Sequence, residues 1–392
     1  MKGKYVNFIM ISGEWELYHR KEFVKSIAAN FVDESETVVI EYPVSILLNL
    51  FFKFKSRLLP FLKRKTFLQK TNTNLSLFTP FVFFHYKIWN KIAVLGYIDS
   101  LLLSYQLKQL KKKQYCNDKI ILWVYSPEIY NVLKFLDYDY LVYDMYDDNE
   151  YNYDGTLNEK LSALNKELIL KSTLTIVVAR SIYNRIKKYT DKVIYSTNGI
   201  NPEFNTDSLI GENEIRKKYA GKKIIGYLGT IRSWLDFNLI EDLLKEFPKC
   251  IFMFVGYVNR NGAESFEKLK KYDNLVHIDF IPQYKTPEYL AAFDAGLIVF
   301  TVNDFTKSVF PYKFYEYLFA KIPIITTAVP ELYEFKENIM YSQTKQDFID
   351  NVRKVISGDF FVDKSIYTKI AVENSWDSKV KIIKEVLSKS LK

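Results

Sequence analysis

The chain has 392 residues, 48% of them hydrophobic and 26% charged, with a formal net charge of +9 at pH 7. Because this length exceeds that of an ordinary single core, we expect two domains. Two cysteines exclude a disulfide scaffold and fit a reducing compartment, while three scattered histidines predict no metal cluster. No run of eighteen apolar residues is free of charged side chains, so no transmembrane helix is predicted.

Strand-like and helical patterns alternate through the first half of the chain. Residues 5–11 form an apolar run that is too short for a signal peptide, and we interpret it as the first buried strand. Regular alternation of this kind predicts a parallel sheet covered by helices. Strands are predicted at 5–11, 37–41, 119–124, 140–144 and 174–178, and helices at 19–31, 100–113, 156–170 and 180–189.

Positive charge and large apolar side chains are concentrated between residues 44 and 115. This segment contains thirteen Lys or Arg residues and a single acidic residue, Asp99, which gives a net charge of +12 against −3 for the remainder. Cations interleaved with aromatic rings suit the headgroup region of an anionic bilayer. Two alternatives stay open: a nucleic-acid surface, for which no recognisable module is present, and core aromatics with solvated lysines.

The second half of the chain repeats the alternation, which predicts a second doubly wound domain. The junction is placed near 196–204, where Asn198, Gly199 and Pro202 interrupt the pattern. Strands are predicted at 193–196, 223–228, 250–255, 275–279, 296–300 and 323–326, and helices at 236–247, 264–272, 286–293, 311–320 and 345–357.

Loops after three of these strands should meet at one mouth, because ligands of such sheets bind at the carboxyl ends of the strands. Gly229 and Arg232 follow the strand at 223–228. A glycine there lets the backbone approach a ligand, and an arginine can form two bonds to a phosphate. Gly256 follows the next strand, and a polar loop at 301–308 follows the strand at 296–300. Each feature alone is weak evidence, since a glycine after a strand is commonly just a turn.

The helix predicted at 311–320 carries two charges, Lys313 and Glu316, within an otherwise apolar segment. Residues three apart share one face of a helix. Pro311 suits the first helical position, and the start of the helix would offer unpaired N–H groups to an anion. The alternative is an intrahelical Lys–Glu pair on a solvated face, which the apolar surroundings disfavour.

Four blocks in this half resemble the nucleotide-binding domain of GT-B-fold glycosyltransferases: "GYLGTIRSWLDFNLIEDLL", "FVG", "YLAAFDAGLIVF" and "PYKFYEYLFAKIPIITT". The closest group is the family 4-like bacterial enzymes of capsule, teichuronic acid and O-antigen assembly. The resemblance implies a GT-B fold, an α/β architecture of two Rossmann-like doubly wound parallel-sheet domains facing a central cleft. It implies an acceptor-binding domain at 1–197 with a membrane-facing insertion at 44–115, a nucleotide-sugar-binding domain at 198–375, and a helix at 376–392 that crosses back to the first domain.

The resemblance also implies roles for single residues. Glu316 would hydrogen-bond the ribose hydroxyls of a nucleotide-sugar, while Arg232 and Lys313 would neutralise its diphosphate. Ser308 stands where family 4 enzymes usually carry a second glutamate, a departure that bears on the anomeric outcome. The predicted donor-binding residues are Gly229, Arg232, Ser308, Tyr312, Lys313 and Glu316.

Glycosyl transfer needs the charge of the leaving diphosphate to be stabilised and the acceptor hydroxyl to lose its proton. The predicted proton acceptors are Asp147, Asp144 and His19, of which Asp147 is preferred. A polar loop that caps the next helix is the alternative for the aspartates. Because protein cations can stabilise the diphosphate, no metal site and no cofactor are predicted. The Asp-x-Asp metal site of the other glycosyltransferase fold is a weaker interpretation of "DDNE".

The sequence therefore predicts a hexosyltransferase-type enzyme that moves a sugar from a nucleotide diphosphate sugar, with UDP favoured, to a lipid-linked or growing cell-surface polysaccharide, with retention of configuration. We expect it in the cytoplasm, bound peripherally to the inner face of the cell membrane through residues 44–115, with no nucleic-acid partner. The alternatives are a non-catalytic GT-B scaffold subunit of a polysaccharide assembly complex and a nucleotide-sugar 2-epimerase.

Overall fold

The computed structural model describes residues 5–31, 35–52, 55, 58–62, 68–71, 74–84, 92–200 and 213–391. In chain order the strands are β1 Tyr5–Met10, β2 Ser35–Ile40, β3 Val44–Ser45, β4 Leu68–Lys70, β5 Leu75–Phe78, β6 Phe81–Val82, β7 Lys119–Val124, β8 Tyr140–Met145, β9 Leu174–Val177, β10 Val193–Tyr195, β11 Ile224–Leu228, β12 Ile251–Val255, β13 Leu275–Ile278, β14 Ala295–Ile298, β15 Ile324–Thr326 and β16 Met340–Tyr341. The α-helices are α1 Lys21–Asn30, α2 Ile46–Phe52, α3 Leu59–Leu62, α4 Ala93–Gln114, α5 Tyr130–Leu133, α6 Glu159–Lys171, α7 Arg180–Ile186, α8 Glu214–Lys218, α9 Phe237–Glu246, α10 Arg260–Glu267, α11 Thr286–Ala292, α12 Lys313–Phe319, α13 Lys345–Ser357, α14 Lys364–Glu373 and α15 Trp376–Ser390.

The described strands form two large sheets. The sheet of the N-terminal lobe has the order β10-β9-β8-β7-β1-β2-β5-β4, and that of the C-terminal lobe has the order β13-β12-β11-β14-β15-β16. The strands of both sheets pair in parallel except that β4 runs antiparallel to β5. Parallel sheets are buried on both faces, which explains why β7 and β12 are almost continuously apolar. Two Rossmann-like lobes result, as the alternation of elements predicts.

The eleven predicted strands are all present, within a few residues of their predicted ends. The helix predicted at 264–272 lies earlier in the chain, as α10. The helix predicted at 311–320 is shorter, as α12, because the N–H of Phe314 bonds the carbonyl of Pro311 only three residues back. Its first turn is therefore not α-helical.

Two glycine loops meet where β11 and β12 end. Leu228 pairs with Val255, so that Gly229 and Gly256 follow side by side. Their φ angles are +130° and +145°, in a region that L side chains rarely adopt. A Cβ atom added to Gly256 would lie 2.2 Å from the carbonyl oxygen of Gly229. The two loops can approach this closely only because Gly256 lacks a side chain.

The segment at 44–115 takes part in the sheet of the N-terminal lobe. Its strand β5 pairs in parallel with β2, and β4 pairs with β5 at the sheet edge. Residues 53–54, 56–57, 63–67, 72–73 and 85–91 of the predicted membrane-facing insertion lie outside the described residues. Among the helices of the described part of the chain, none is long and apolar enough to cross a membrane.

Helix α15 packs against α1 of the N-terminal lobe. Ile383 and Leu387 lie in one buried cluster with Phe23 and Ile27. The carboxylate of Asp377 also accepts a hydrogen bond from the side chain of Asn30, at 3.1 Å. These contacts are those expected of a crossing helix. The domain limits at 197/198 and 375/376 stay predictions, and Pro202 of the predicted junction lies outside the described residues.

Candidate active site

Lys313, in the first turn of α12, directs its amine at the loop after β11. A Cβ atom at Gly229 would lie 3.3 Å from its Cε and 3.5 Å from its Nζ. The ammonium group lies 4.8 Å from the ring centres of Tyr227 and of Phe300. Loss of hydration lowers the pKa of Lys313 to about 8, although Glu316 acts in the opposite direction. At pH 7 this side chain is therefore a poorly hydrated cation, which a bound anion would stabilise.

Glu316 lies three residues further along the same helix and is 7% exposed. Burial raises the pKa of its carboxyl to about 7, and Lys313 opposes that rise. In the residues that the structure describes, no side chain forms a hydrogen bond or an ion pair with this carboxylate. A buried carboxylate without bonded partners is costly, so the position suits a ligand that brings hydroxyl donors.

Arg232, in the same loop as Gly229, lies between two aromatic rings. Its guanidinium carbon is 5.2 Å from the ring centre of Tyr153 and 5.0 Å from that of Trp234. Its Nη1 donates a hydrogen bond of 2.9 Å to the Tyr153 hydroxyl. Tyr153 belongs to the N-terminal lobe, so this contact joins the two lobes beside the predicted diphosphate cations.

Asp144, at the end of β8, is paired with a cation that the sequence did not suggest. Arg20 lies 2.9 Å from its carboxylate, and both side chains are buried. Burial raises the pKa of Asp144, while Arg20 opposes the rise. Nη1 of Arg20 also donates to Asn198 at 3.3 Å, and Asn198 donates to the carbonyl of Phe310 in the C-terminal lobe at 3.1 Å. Asp144 thus anchors a chain of bonds between the lobes.

The side chains of Asp147 and His19 are exposed at the surface, although neighbouring groups crowd both and displace part of their hydration. Desolvation raises the pKa of Asp147 to about 6, although Arg20 and Arg232 oppose it. The same cause, with the same two arginines, lowers the pKa of His19 to about 4. At pH 7 His19 is neutral and Asp147 is largely ionised. A carboxylate with a pKa so close to neutral pH is suited to accept a proton.

The two other predicted donor residues make contacts along the junction of the lobes. The hydroxyl oxygens of Ser308 and Ser181 lie 3.2 Å apart, and Ser181 donates to the buried Glu331 at 3.1 Å. The ring of Tyr312 stacks on Trp376 of α15 at 6.4 Å. Their predicted roles in donor binding stay predictions.

Sequence reasoning missed Arg20, Tyr153 and Trp234. Arg20 could have been noticed because it directly follows His19, whereas its partner Asp144 is remote in the chain. Tyr153 gave no signal, since a tyrosine in a polar loop is ordinary. Within the described ranges, no group of three or more His, Cys, Asp or Glu side chains is arranged to hold a metal ion. Independence from metals and cofactors stays a prediction.

A cavity of about 460 Å³ lies elsewhere, lined in part by Lys111, Lys134 and Lys171 with Asp137 and Asp139. Asp139 immediately precedes β8, so the cavity lies at the amino end of that strand. Ligands of doubly wound sheets bind at the opposite, carboxyl ends of the strands. The geometry therefore favours the junction around Gly229 and Lys313 as the active site.

Comparison with solved structures shows that the chain has the GT-B fold. Sucrose-phosphate synthase from Thermosynechococcus elongatus matches with a TM-score of 0.71 and 10% sequence identity, over 98% of this chain and 99% of that one. HepE from Anabaena, in a complex with UDP-glucose, matches with a TM-score of 0.70 and 13% identity, over 98% and 99% of the two chains. The predicted fold is thereby confirmed.

In sequence the chain is similar to TuaH of Bacillus subtilis (strain 168). TuaH is described provisionally as a glycosyltransferase of teichuronic acid biosynthesis. The two are 24% identical over 294 residues, which cover 70% of this chain and 73% of TuaH. No protein-family model matches the chain. These comparisons confirm the predicted resemblance to GT-B-fold glycosyltransferases and support the predicted enzyme class.

Proposed function

We propose that this chain is a glycosyltransferase that moves a sugar from a nucleotide diphosphate sugar, with UDP favoured, to an acceptor hydroxyl. One observation carries the proposal: Lys313 is held, poorly solvated, beside Gly229 at the carboxyl end of the C-terminal sheet, and the buried Glu316 follows three residues later on the same helix. The complex of HepE, a protein of the same fold, with UDP-glucose supports the choice of donor.

In this proposal the C-terminal lobe binds the donor. Glu316 accepts hydrogen bonds from the ribose hydroxyls, and Lys313 and Arg232 neutralise the diphosphate. When the bond between the sugar C1 and the diphosphate oxygen breaks, negative charge grows on the leaving group, and fixed cations stabilise that charge most in a poorly hydrated site. No metal ion is needed for this step.

The N-terminal lobe receives the acceptor. As the acceptor oxygen bonds C1, its proton passes to the carboxylate of Asp147. Asp144, occupied by Arg20, holds the lobes in place. We further propose retention of configuration, in which the acceptor approaches on the face from which the diphosphate leaves. Proton NMR of the product against the donor distinguishes the two anomeric outcomes.

A lipid-linked or growing cell-surface polysaccharide acceptor is supported by the unusual burial of α4. Asp99 on this helix is fully buried and accepts hydrogen bonds of 2.8 Å from the N–H groups of Phe83 and Phe84. The opposite face carries apolar side chains that are 42–67% exposed, namely Val94, Tyr97, Ile98, Leu101 and Tyr105. A helix that buries its acid and exposes its apolar residues is unfavourable in water and suits a lipid surface.

The same face of α4 becomes basic towards its end, where Lys108 and Lys112 continue the row of exposed residues. We propose that this face binds an anionic membrane surface from the cytoplasmic side, which would bring lipid-linked acceptors to the N-terminal lobe. Cations attract anionic headgroups while the apolar side chains enter the interface, so both contributions act together.

Donor binding is tested with a panel of UDP- and GDP-sugars, by measuring nucleotide release. We expect release with one donor to fall at least tenfold in Glu316→Ala, because each hydrogen bond to a charged group contributes about 1.5–3 kcal/mol. The control is Glu337→Ala, whose side chain is 83% exposed on the same lobe and which should leave the rate unchanged. Tight membrane binding without turnover on any donor would favour the scaffold alternative, to which the serine at position 308 also points.

Membrane binding is tested by co-sedimentation with vesicles of phosphatidylglycerol and phosphatidylcholine. In Ile98→Ser/Leu101→Ser we expect binding to fall by about tenfold or more, since each partly exposed side chain would contribute about 1 kcal/mol on insertion. Phe361→Ser, which alters a side chain that is 89% exposed on the other lobe, is the control. Binding that is indifferent to the double substitution, to salt and to anionic lipid would reject the membrane role.

A further inference from the structure

A turn of the N-terminal lobe crosses to the C-terminal lobe between β8 and α6. This crossing turn, residues 149–158, is tied by the bridge between Tyr151 and Leu157 and by a hydrogen bond of 2.9 Å from the Gly155 N–H to the carbonyl of Asn152. Asn303 of the C-terminal lobe donates to the carbonyl of Tyr153 at 3.3 Å. The turn is thus internally ordered and bonded to the opposite lobe.

Tyr153, at the tip of the crossing turn, meets an aromatic surface of the C-terminal lobe. Its ring lies edge-on to Trp234 at 5.2 Å and to Phe305 at 5.1 Å, and those two rings stack on each other at 5.7 Å. Tyr153 is nevertheless 42% exposed. Its position is therefore set by these edge contacts and its hydroxyl, and not by burial in a core.

The Tyr153 hydroxyl engages only one part of the Arg232 guanidinium. Nη1 bonds the hydroxyl at 2.9 Å, and the planar group is held between the rings of Tyr153 and Trp234. A guanidinium has five N–H donors in a rigid plane, so fixing one nitrogen and the plane fixes the directions of the others. The charge of Arg232 also acts on Asp147 and His19, so it lies within electrostatic range of the predicted acceptor groups.

We propose that Tyr153 is a positioning residue for the donor diphosphate. Its hydroxyl, supplied by the acceptor lobe, holds Arg232 in the orientation in which the guanidinium binds phosphate oxygens. Donor binding by the C-terminal lobe then depends on contact with the N-terminal lobe. The inference rests on the proposed function, since it requires that Arg232 bind a diphosphate.

The test compares the binding of UDP, GDP, inorganic pyrophosphate and uridine to the full chain by titration calorimetry. We expect Tyr153→Phe, which keeps the ring and removes the hydroxyl, to weaken UDP and pyrophosphate about 5- to 20-fold and to leave uridine unchanged. Adding Tyr153→Phe to Arg232→Ala should not weaken UDP or pyrophosphate binding further, because the guanidinium that Tyr153 positions is already absent. Tyr284→Phe, at a residue 78% exposed on the C-terminal lobe, is the matched control.

The outcomes separate the inference from the proposed function. Suppose that the wild type binds UDP. If Tyr153→Phe then leaves UDP affinity unchanged, lowers uridine affinity equally, or lowers UDP affinity as much in Arg232→Ala as in the wild type, Tyr153 is only a packing contact and the inference is wrong. If the wild type binds neither UDP, GDP nor pyrophosphate, the proposed function fails and the inference fails with it. A loss that is confined to phosphate-bearing ligands and absent without Arg232 supports both.

Discussion

The pH dependence of donor binding follows from the environment of Lys313. Burial lowers its pKa to about 8, so the free protein loses this cation as the pH rises through that value. A diphosphate binds the charged form and raises the pKa of the amine in the complex. By linkage, affinity should fall as the pH rises through 8 and level off above the pKa of the complex.

The size of the fall can be worked from the charges. Two unit charges 4 Å apart attract by about 4 kcal/mol at an effective dielectric constant of 20. Partial exposure of Lys313 halves that attraction to about 2 kcal/mol, which corresponds to a pKa rise of about 1.5 units on binding. The affinity should therefore drop about 20-fold between pH 7 and pH 10, towards a limit of about 30-fold at higher pH.

The assay is titration of UDP by calorimetry from pH 7.5 to pH 10, where the terminal phosphate, with a pKa of about 6, is ionised throughout. At pH 8 about half a proton should be taken up per UDP bound, seen as a dependence on the ionisation enthalpy of the buffer. Lys313→Arg should abolish the fall, because a guanidinium stays charged over this range. In Glu316→Gln the fall should begin at lower pH, since Glu316 supports the charge of Lys313. A flat wild-type profile, or an arginine variant that declines like the wild type, would refute the reasoning.

Three further predictions concern the reaction, the glycine loops and the crossing helix. Asp147→Asn should lower kcat by about 10²- to 10⁴-fold. In pH–rate profiles kcat/KM of the wild type should fall below about pH 6, and that of the variant should not. Gly256→Ala should weaken UDP binding and lower the melting temperature, because the added Cβ would overlap the neighbouring loop. In the control Gly221→Ala, φ is positive but no atom lies within 4 Å of the added Cβ, so the free energy of unfolding should fall by only about 1–2 kcal/mol. Trp376→Ala, at a buried ring, should destabilise the fold by about 3–5 kcal/mol in denaturant titration, against less than about 0.5 for Phe361→Ala.

The core strands could be predicted because parallel strands are buried on both faces and so appear as short continuous apolar runs between turns. Strands β3, β4, β5, β6 and β16 escaped prediction because each has only two to four residues, too few to show a pattern of their own. The first four lie in the basic aromatic segment at 44–115. Helix α4 begins seven residues before its predicted start at 100, since its exposed apolar side chains and buried Asp99 contradict the usual pattern.

Part of the candidate site could likewise be predicted from the sequence, and part could not. Gly229 and Lys313 could be placed together from sequence because each follows a strand of one sheet, and carboxyl ends of parallel strands share an edge. Arg20 with Asp144, and Tyr153 with Arg232, are separated by 124 and 79 residues. The second pair joins different lobes. Its geometry depends on how the lobes meet, which no local pattern in the chain encodes.

The burial of Glu316 and the directions in which the pKa values of Lys313 and Glu316 shift favour one of the two interpretations of helix α12. In a solvated ion pair, mutual attraction dominates, so the pKa of the lysine rises and that of the glutamate falls. Here each shifts the other way, to about 8 and about 7, because the loss of hydration outweighs the attraction between them. The pair therefore does not stabilise the helix as a surface pair would. We therefore interpret the two side chains as part of a ligand site, in which the ligand carries negative charge for Lys313 and hydroxyl groups for Glu316.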